Sequence, residues 1–153
     1  MFRSVKHIAF ASPDAARAVQ LLQDIFGPAE DAEVKDLASA YRVGRFTSGG
    51  VQMQFCEPLE GDRRFSIHLA EHGPGLHHIC FTVDDINDVV GRAEALGIAL
   101  KPCLSCGVVG SHVHPEGWIA FLGADLLPEL QIEIMQVYRP GEKEEFWGDR
   151  AEI

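Results

Sequence analysis

Three features of the sequence predict an α+β fold made of two tandem β-α-β-β-β modules. The first is an internal echo. His7-Ile8-Ala9-Phe10, with Asp14 beyond it, recurs as His78-Ile79-Cys80-Phe81 with Asp85 beyond it, so that His, Ile, Phe and Asp are each displaced by 71 positions. A displacement near half of the 153-residue length marks a duplicated structural unit. The second is that both echoes lead into an amphipathic helical stretch stopped by a glycine, Gly27 or Gly97. The third is that the runs after each helix alternate at the period of a strand. Because the strands follow one another locally, each module forms a mostly antiparallel part of a curled mixed sheet, with its helix outside. Module 1 covers about residues 4–60 and module 2 about 75–138, within a single domain that ends in a charged tail, 139–153.

Val5 to Ala11 reads as the first strand. Ser12-Pro13-Asp14 opens a helix, with Ser12 as N-cap and Pro13 at the first helical position. Ala15, Val19, Leu22, Ile25 and Phe26 recur at helical spacing as far as Gly27-Pro28. Residues 29–38 are acidic and carry no clear pattern. Ser39–Phe46 and Val51–Cys56 form strands joined by a hairpin at Thr47-Ser48-Gly49-Gly50. A short helix is expected over Phe65–His72, and Gly73-Pro74-Gly75 is the hinge into the second half. There a strand over 76–83 precedes a helix from about Ile86 to Leu96, capped by Asp84 or Asp85. Ala99–Cys103 reads as a strand and Gly107–Trp118 as a loop. Ile119–Gly123 and Leu130–Val137 are the last two strands. In the tail, Phe146 and Trp147 are expected to dock on the body or on a second subunit.

Composition narrows the function classes. A net charge of −10 argues against nucleic acid, whose recognition needs clustered Lys and Arg. No apolar run reaches the roughly 18 residues of a membrane helix, and the N-terminus carries no signal-peptide core. Cys56, Cys80, Cys103 and Cys106 do not form a secreted disulfide framework, so the expectation is a cytoplasmic protein with reduced thiols.

The chemistry-bearing residues occupy matched places in the two modules. His7 and His78 lie on the first strand of each; Gln54 and Glu133 lie on the last. In the pair His77-His78 the side chains alternate, so one imidazole leaves the apolar packing. If the halves are related by a pseudo-twofold and the sheets curl, these four side chains converge in one cavity. Two imidazoles, an amide oxygen and a carboxylate suit one divalent ion, Co, Ni, Mn, Zn or Fe. An ionised Glu133 in an apolar strand needs such a partner, because a buried lone carboxylate is costly. The expected architecture is therefore a curled mixed sheet around a metal-binding cavity. Cys103-Leu104-Ser105-Cys106 has the spacing of a redox pair or half a zinc site, with His112 and His114 behind it. The one-residue gap between those histidines misses the usual zinc spacing, and a plain loop is the preferred reading. His68, His72 and His77 read as surface or packing residues.

These stretches carry a family resemblance. Val5-Lys6-His7-Ile8-Ala9, Val51-Gln52-Met53-Gln54-Phe55-Cys56-Glu57-Pro58, Gly75-Leu76-His77-His78-Ile79 and Gln131-Ile132-Glu133-Ile134-Met135-Gln136 resemble the vicinal oxygen chelate superfamily, which includes glyoxalases, bleomycin-resistance proteins and dioxygenases. Within it the chain is most similar to the methylmalonyl-CoA epimerase branch. The resemblance implies metal ligands His7, Gln54, His78 and Glu133, with Glu133 also the catalytic base. It implies removal of a proton alpha to a carbonyl or thioester, a small-molecule substrate such as an acyl-CoA, and a homodimer. Tyr41, Arg42 and Arg45 are the candidate substrate-binding residues. Two rivals are a glyoxalase I-like lactoylglutathione lyase and a non-catalytic binding protein of the bleomycin-resistance type.

Overall fold

The computed structural model describes residues 1–38, 40–103, 105–123 and 130–150. It forms an α+β fold in which the chain divides into two compact units, His7–His77 and Met1–Lys6 together with His78 onward. The first strand, β1 (Phe2–Ala11), is therefore shared between the units.

In the unit His7–His77, β1 is followed by α1 (Ala15–Phe26), β2 (Asp31–Leu37), β3 (Tyr41–Ser48), β4 (Val51–Pro58) and α2 (Phe65–His72). The strand order is β2-β3-β4-β1, antiparallel except that β1 and β4 run parallel. α1 starts one cap later than the sequence suggests. Asp14, not Ser12, is the N-cap, and its carboxylate accepts from Arg17 N–H at 2.8 Å. Ser12 Oγ instead accepts from Asp14 N–H at 3.3 Å, one step upstream. The β3–β4 hairpin turns on Gly49 and Gly50, both at positive φ (58° and 73°), which glycine adopts without strain. Sequence pattern missed β2 because it is a charged, mostly exposed edge strand. It is held by β3 through the pairs Glu33–Arg45 and Asp36–Arg42, a usual way of blunting a sheet edge.

The other unit contains β5 (Gly75–Val83) from His78 onward, α3 (Ile86–Ala95), β6 (Leu100–Lys101), β7 (His112–His114), β8 (Gly117–Leu122) and β9 (Gln131–Val137). β5 and β9 are parallel, as β1 and β4 are, and β8 is antiparallel to β9, β6 and β7. Asp85 caps α3, its carboxylate accepting from Asn87 and Asp88 N–H. Two differences from the sequence reading stand out. The stretch 107–118 is not all loop, since His112–His114 forms a short strand against β8. β8 also begins at Gly117, two residues before the apolar run. A side chain there would place Cβ 2.3 Å from Gln136 O, so only glycine lets the strands close.

α3 packs on one face of this sheet. Ile86 and Ala93 meet Val83, Ala120, Leu122 and Ile134. The opposite face carries Cys80, Cys103, Ile119, Phe121 and Met135. The N-terminal residues join here: Asp84 N–H donates to Met1 O at 3.0 Å and Ser4 Oγ meets Thr82 Oγ1 at 2.7 Å. The tail docks on its own unit through a π-helical turn, Lys143–Trp147. Phe146 lies edge-on to Trp118, and Trp147 lies 6.1 Å from the His114 ring. No helix among the described residues is long and apolar enough to cross a membrane.

Candidate metal centre

Strand register decides which side chains share a face. In β9, Glu133 lies opposite Phe121 and alongside Cys80, and Met135 lies opposite Ile119. These residues sit on the face away from α3, as does His78, two positions before Cys80. The geometry brings His78 and Glu133 together: His78 Nε2 lies 3.2 Å from Glu133 Oε2. The two residues are only 7% and 6% exposed. A carboxylate so placed would lose several kcal/mol of hydration if left alone, and the imidazole is one neighbour that helps to offset it. Cys80 completes the group, its thiol pushed upward by burial first and by the Glu133 carboxylate second. It is therefore a neutral thiol beside the pair. Its neighbour His77 turns the other way and packs against Phe65 and His68 at 4.8 and 5.0 Å between rings, a packing histidine as its alternation suggests.

In the unit His7–His77 the corresponding face is read from α1. A Cβ on Gly44 would lie 2.6 Å from Ala15 O, so Gly44 and its neighbours Arg42 and Phe46 are on the helix side. Tyr41, Val43 and Arg45 are on the other side, where Gln54 lies opposite Arg45 and Cys56 opposite Val43. His7 and Ala9 stand beside Gln52 and Gln54 on the parallel strand. His7 is buried. The Gln54 side-chain amide donates to Gln52 Oε1 at 2.7 Å, which leaves Gln54 Oε1 as the oxygen open to an electrophile.

The three substrate-side candidates separate. Tyr41 is buried in a cluster with Ala11, Val43, Cys56 and Phe65, its ring 5.1 Å from that of Phe65. Arg42 is on the helix side, paired with Asp36 at 2.7 Å and Glu57 at 3.5 Å. Arg45 shares the face of Gln54. Its Nη1 holds Glu33 at 3.0 Å, and its buried Nε has no acceptor among the described residues.

One repeated device was not visible in the sequence. Glu57 Oε2 accepts from Ala15 N–H at 3.0 Å, and Gln136 Oε1 accepts from Ile86 N–H at 3.0 Å. Glu57 is three residues beyond Gln54, and Gln136 three beyond Glu133. In each unit the strand carrying a candidate ligand thus hydrogen-bonds the first N–H of the helix behind it. Residue type differs between the halves, which is why no echo showed.

Comparison with known proteins agrees with this duplicated architecture. The family model of the Glyoxalase/Bleomycin resistance protein/Dioxygenase superfamily matches residues 6–105. The chain belongs to that superfamily. It is 30% identical over 117 residues to human mitochondrial methylmalonyl-CoA epimerase, spanning 73% of this chain and 66% of the relative. It is 25% identical over 118 residues to the mitochondrial methylmalonyl-CoA epimerase of Dictyostelium discoideum, spanning 73% and 70%. The match thus covers just under two thirds of the human protein's length. A solved structure of a selenomethionine methylmalonyl-CoA epimerase has a TM-score of 0.66 at 26% identity, covering 91% of this chain and 98% of the other. A methylmalonyl-CoA epimerase in complex with methylmalonyl-CoA and ammonium has a TM-score of 0.65 at 23% identity, covering 90% and 96%. Superfamily membership agrees with the duplicated architecture.

Proposed function

We propose that this chain is a divalent-metal-dependent epimerase of an acyl-CoA thioester, of the methylmalonyl-CoA type, with His7, Gln54, His78 and Glu133 as the metal ligands. The observation that carries the reading is the buried contact of His78 with Glu133. The donor chemistry fits an intermediate divalent ion: imidazole nitrogen, carboxylate oxygen and an amide oxygen whose NH2 is already engaged. When bound, such an ion is a Lewis acid that stabilises negative charge developing on a carbonyl oxygen. The chain's own residues do the rest. With one carboxylate among four ligands, the set would keep the ion's charge only partly neutralised. Glu133 would serve as the base that takes the proton alpha to the thioester, and bound metal would lower its basicity. Arg45 suits a substrate carboxylate or phosphate, because its buried Nε is still without an acceptor among the described residues. The stretch aligned with the relatives also supports an acyl-CoA as substrate. A cytoplasmic homodimer completes the proposal.

The test is solvent deuterium exchange at C2 of methylmalonyl-CoA, with metal analysis of the same preparation. Exchange that depends on bound metal, and in His78→Ala loss of the exchange together with the equivalent of metal held by the His78–Glu133 pair, is the expected result. A protein that holds metal but exchanges no acyl-CoA would refute the reaction. A lactoylglutathione lyase would instead turn over the hemithioacetal of glutathione, and a sequestering protein would do neither.

A further inference from the structure

We propose that Cys103, Cys106 and His112 form a second cation site, for a thiophilic ion such as Zn2+, distinct from the His78–Glu133 pair. The Cys103 and Cys106 sulfurs and a His112 ring nitrogen all lie within 4.8 Å of one another. With metal–sulfur and metal–nitrogen bonds of about 2.3 and 2.0 Å, tetrahedral ligand atoms stand roughly 3.5–4 Å apart. The three donors are therefore within about an ångström of closing on one ion. Cys103 is 3% exposed and fixed in the core against Cys80, Ile119, Phe121 and Met135, whereas Cys106 is exposed and can supply the movement.

Backbone hydrogen bonds of Cys103 and Gly107 hold the two thiols near one another. Gly107 N–H donates to Cys103 O at 2.7 Å, and Cys103 N–H donates to Val108 O at 2.8 Å. Gly107, at φ 76°, takes the left-handed turn that brings Cys106 back over Cys103. The imidazole is oriented as a ligand's would be. His112 Nδ1 lies 2.9 Å from Gly110 O, so that nitrogen carries the proton and Nε2 keeps its lone pair. His112 Nε2 is buried with no hydrogen-bond partner of its own among the described residues, and the same is true of His114 Nε2. Burial opposes ionisation of the Cys103 thiol, and the two imidazoles nearby favour its thiolate. β7 places them on one side of a two-residue step, where a strand, unlike a helix, puts i and i+2 on the same face. The short spacing that spoke against zinc is thus what a β-strand requires, and His114 stands ready as the fourth donor.

The experiment uses the full chain, reduced and stripped with a chelator, and titrates it with Co2+ as a spectroscopic stand-in. A thiolate-to-cobalt charge-transfer band that Zn2+ displaces is expected. It should weaken at least about tenfold in affinity in Cys106→Ser and His112→Ala, in line with losing a ligand from a small site. His78→Ala should leave it unchanged, which separates this site from the proposed catalytic one. Because Cys106 is exposed, its serine variant tests the site without disturbing the core. Absence of the band in reduced protein would overturn the proposal. So would a band that survives Cys106→Ser and disappears in His78→Ala, since that sulfur would be Cys80 at the other pair.

Discussion

Removing the Gln136 side-chain acceptor tests whether the strand carrying Glu133 is tied to α3 as the structure indicates. Gln136 Oε1 takes the Ile86 N–H at 3.0 Å, and Ile86 is 1% exposed. Asp85 is already committed to capping the next turn, its Oδ1 accepting from both Asn87 and Asp88 N–H. In Gln136→Met, which keeps the length of the side chain, the Ile86 N–H is left without an acceptor. A buried unsatisfied donor costs about 1–3 kcal/mol. For a chain of this size that corresponds to a fall in Tm of about 2–4 °C per kcal/mol. Gln136→Glu keeps an acceptor and puts a carboxylate at a helix N-terminus, worth about 0.3–1 kcal/mol. It should therefore stay within about 0.5 kcal/mol of the parent, as Glu57 already performs this task in the other unit. Guanidinium denaturation followed by far-UV circular dichroism measures all three proteins. If the methionine variant matches the parent, or the glutamate variant is equally destabilised, the hydrogen bond contributes nothing and the reasoning fails.

Two further outcomes follow from packing and burial. Gly44→Ala forces a methyl group 2.6 Å from Ala15 O and 2.8 Å from Val19 Cγ2, and should cost about 1–3 kcal/mol by denaturation, with α1 pushed off β3. Thiol titration with an aromatic disulfide at pH 8 should leave Cys56 and Cys80 silent in the native protein. Burial pushes the Cys56 thiol up to about 12 and the Cys80 thiol further, so neither forms the reactive thiolate. Labelling of all four cysteines should appear only after unfolding, and peptide mapping of the native adduct identifies any exception.

How much of this was legible in the chain varies with the kind of signal. The paired modules were, because the duplication repeats His, Ile, Phe and Asp at one offset and hydrophobic period survives in any context. β2 was not, because an edge strand held by Glu33–Arg45 and Asp36–Arg42 buries no alternating face. Nor was the β7 strand, whose three residues are only part-buried and find their place through pairing with β8.

Sequence by itself determined the repeated strand–helix pattern, the glycines that stop the helices, the superfamily and which polar residues sit on first and last strands. Tertiary structure alone decided the neighbours: that His78 meets Glu133, that Arg42 faces the helix side while Arg45 shares the face of Gln54, and that two cysteines come together with His112. The reason is physical. Period and capping are written in residues a few positions apart, but strand register joins residues tens of positions apart, and a shift of one residue would exchange every one of these faces.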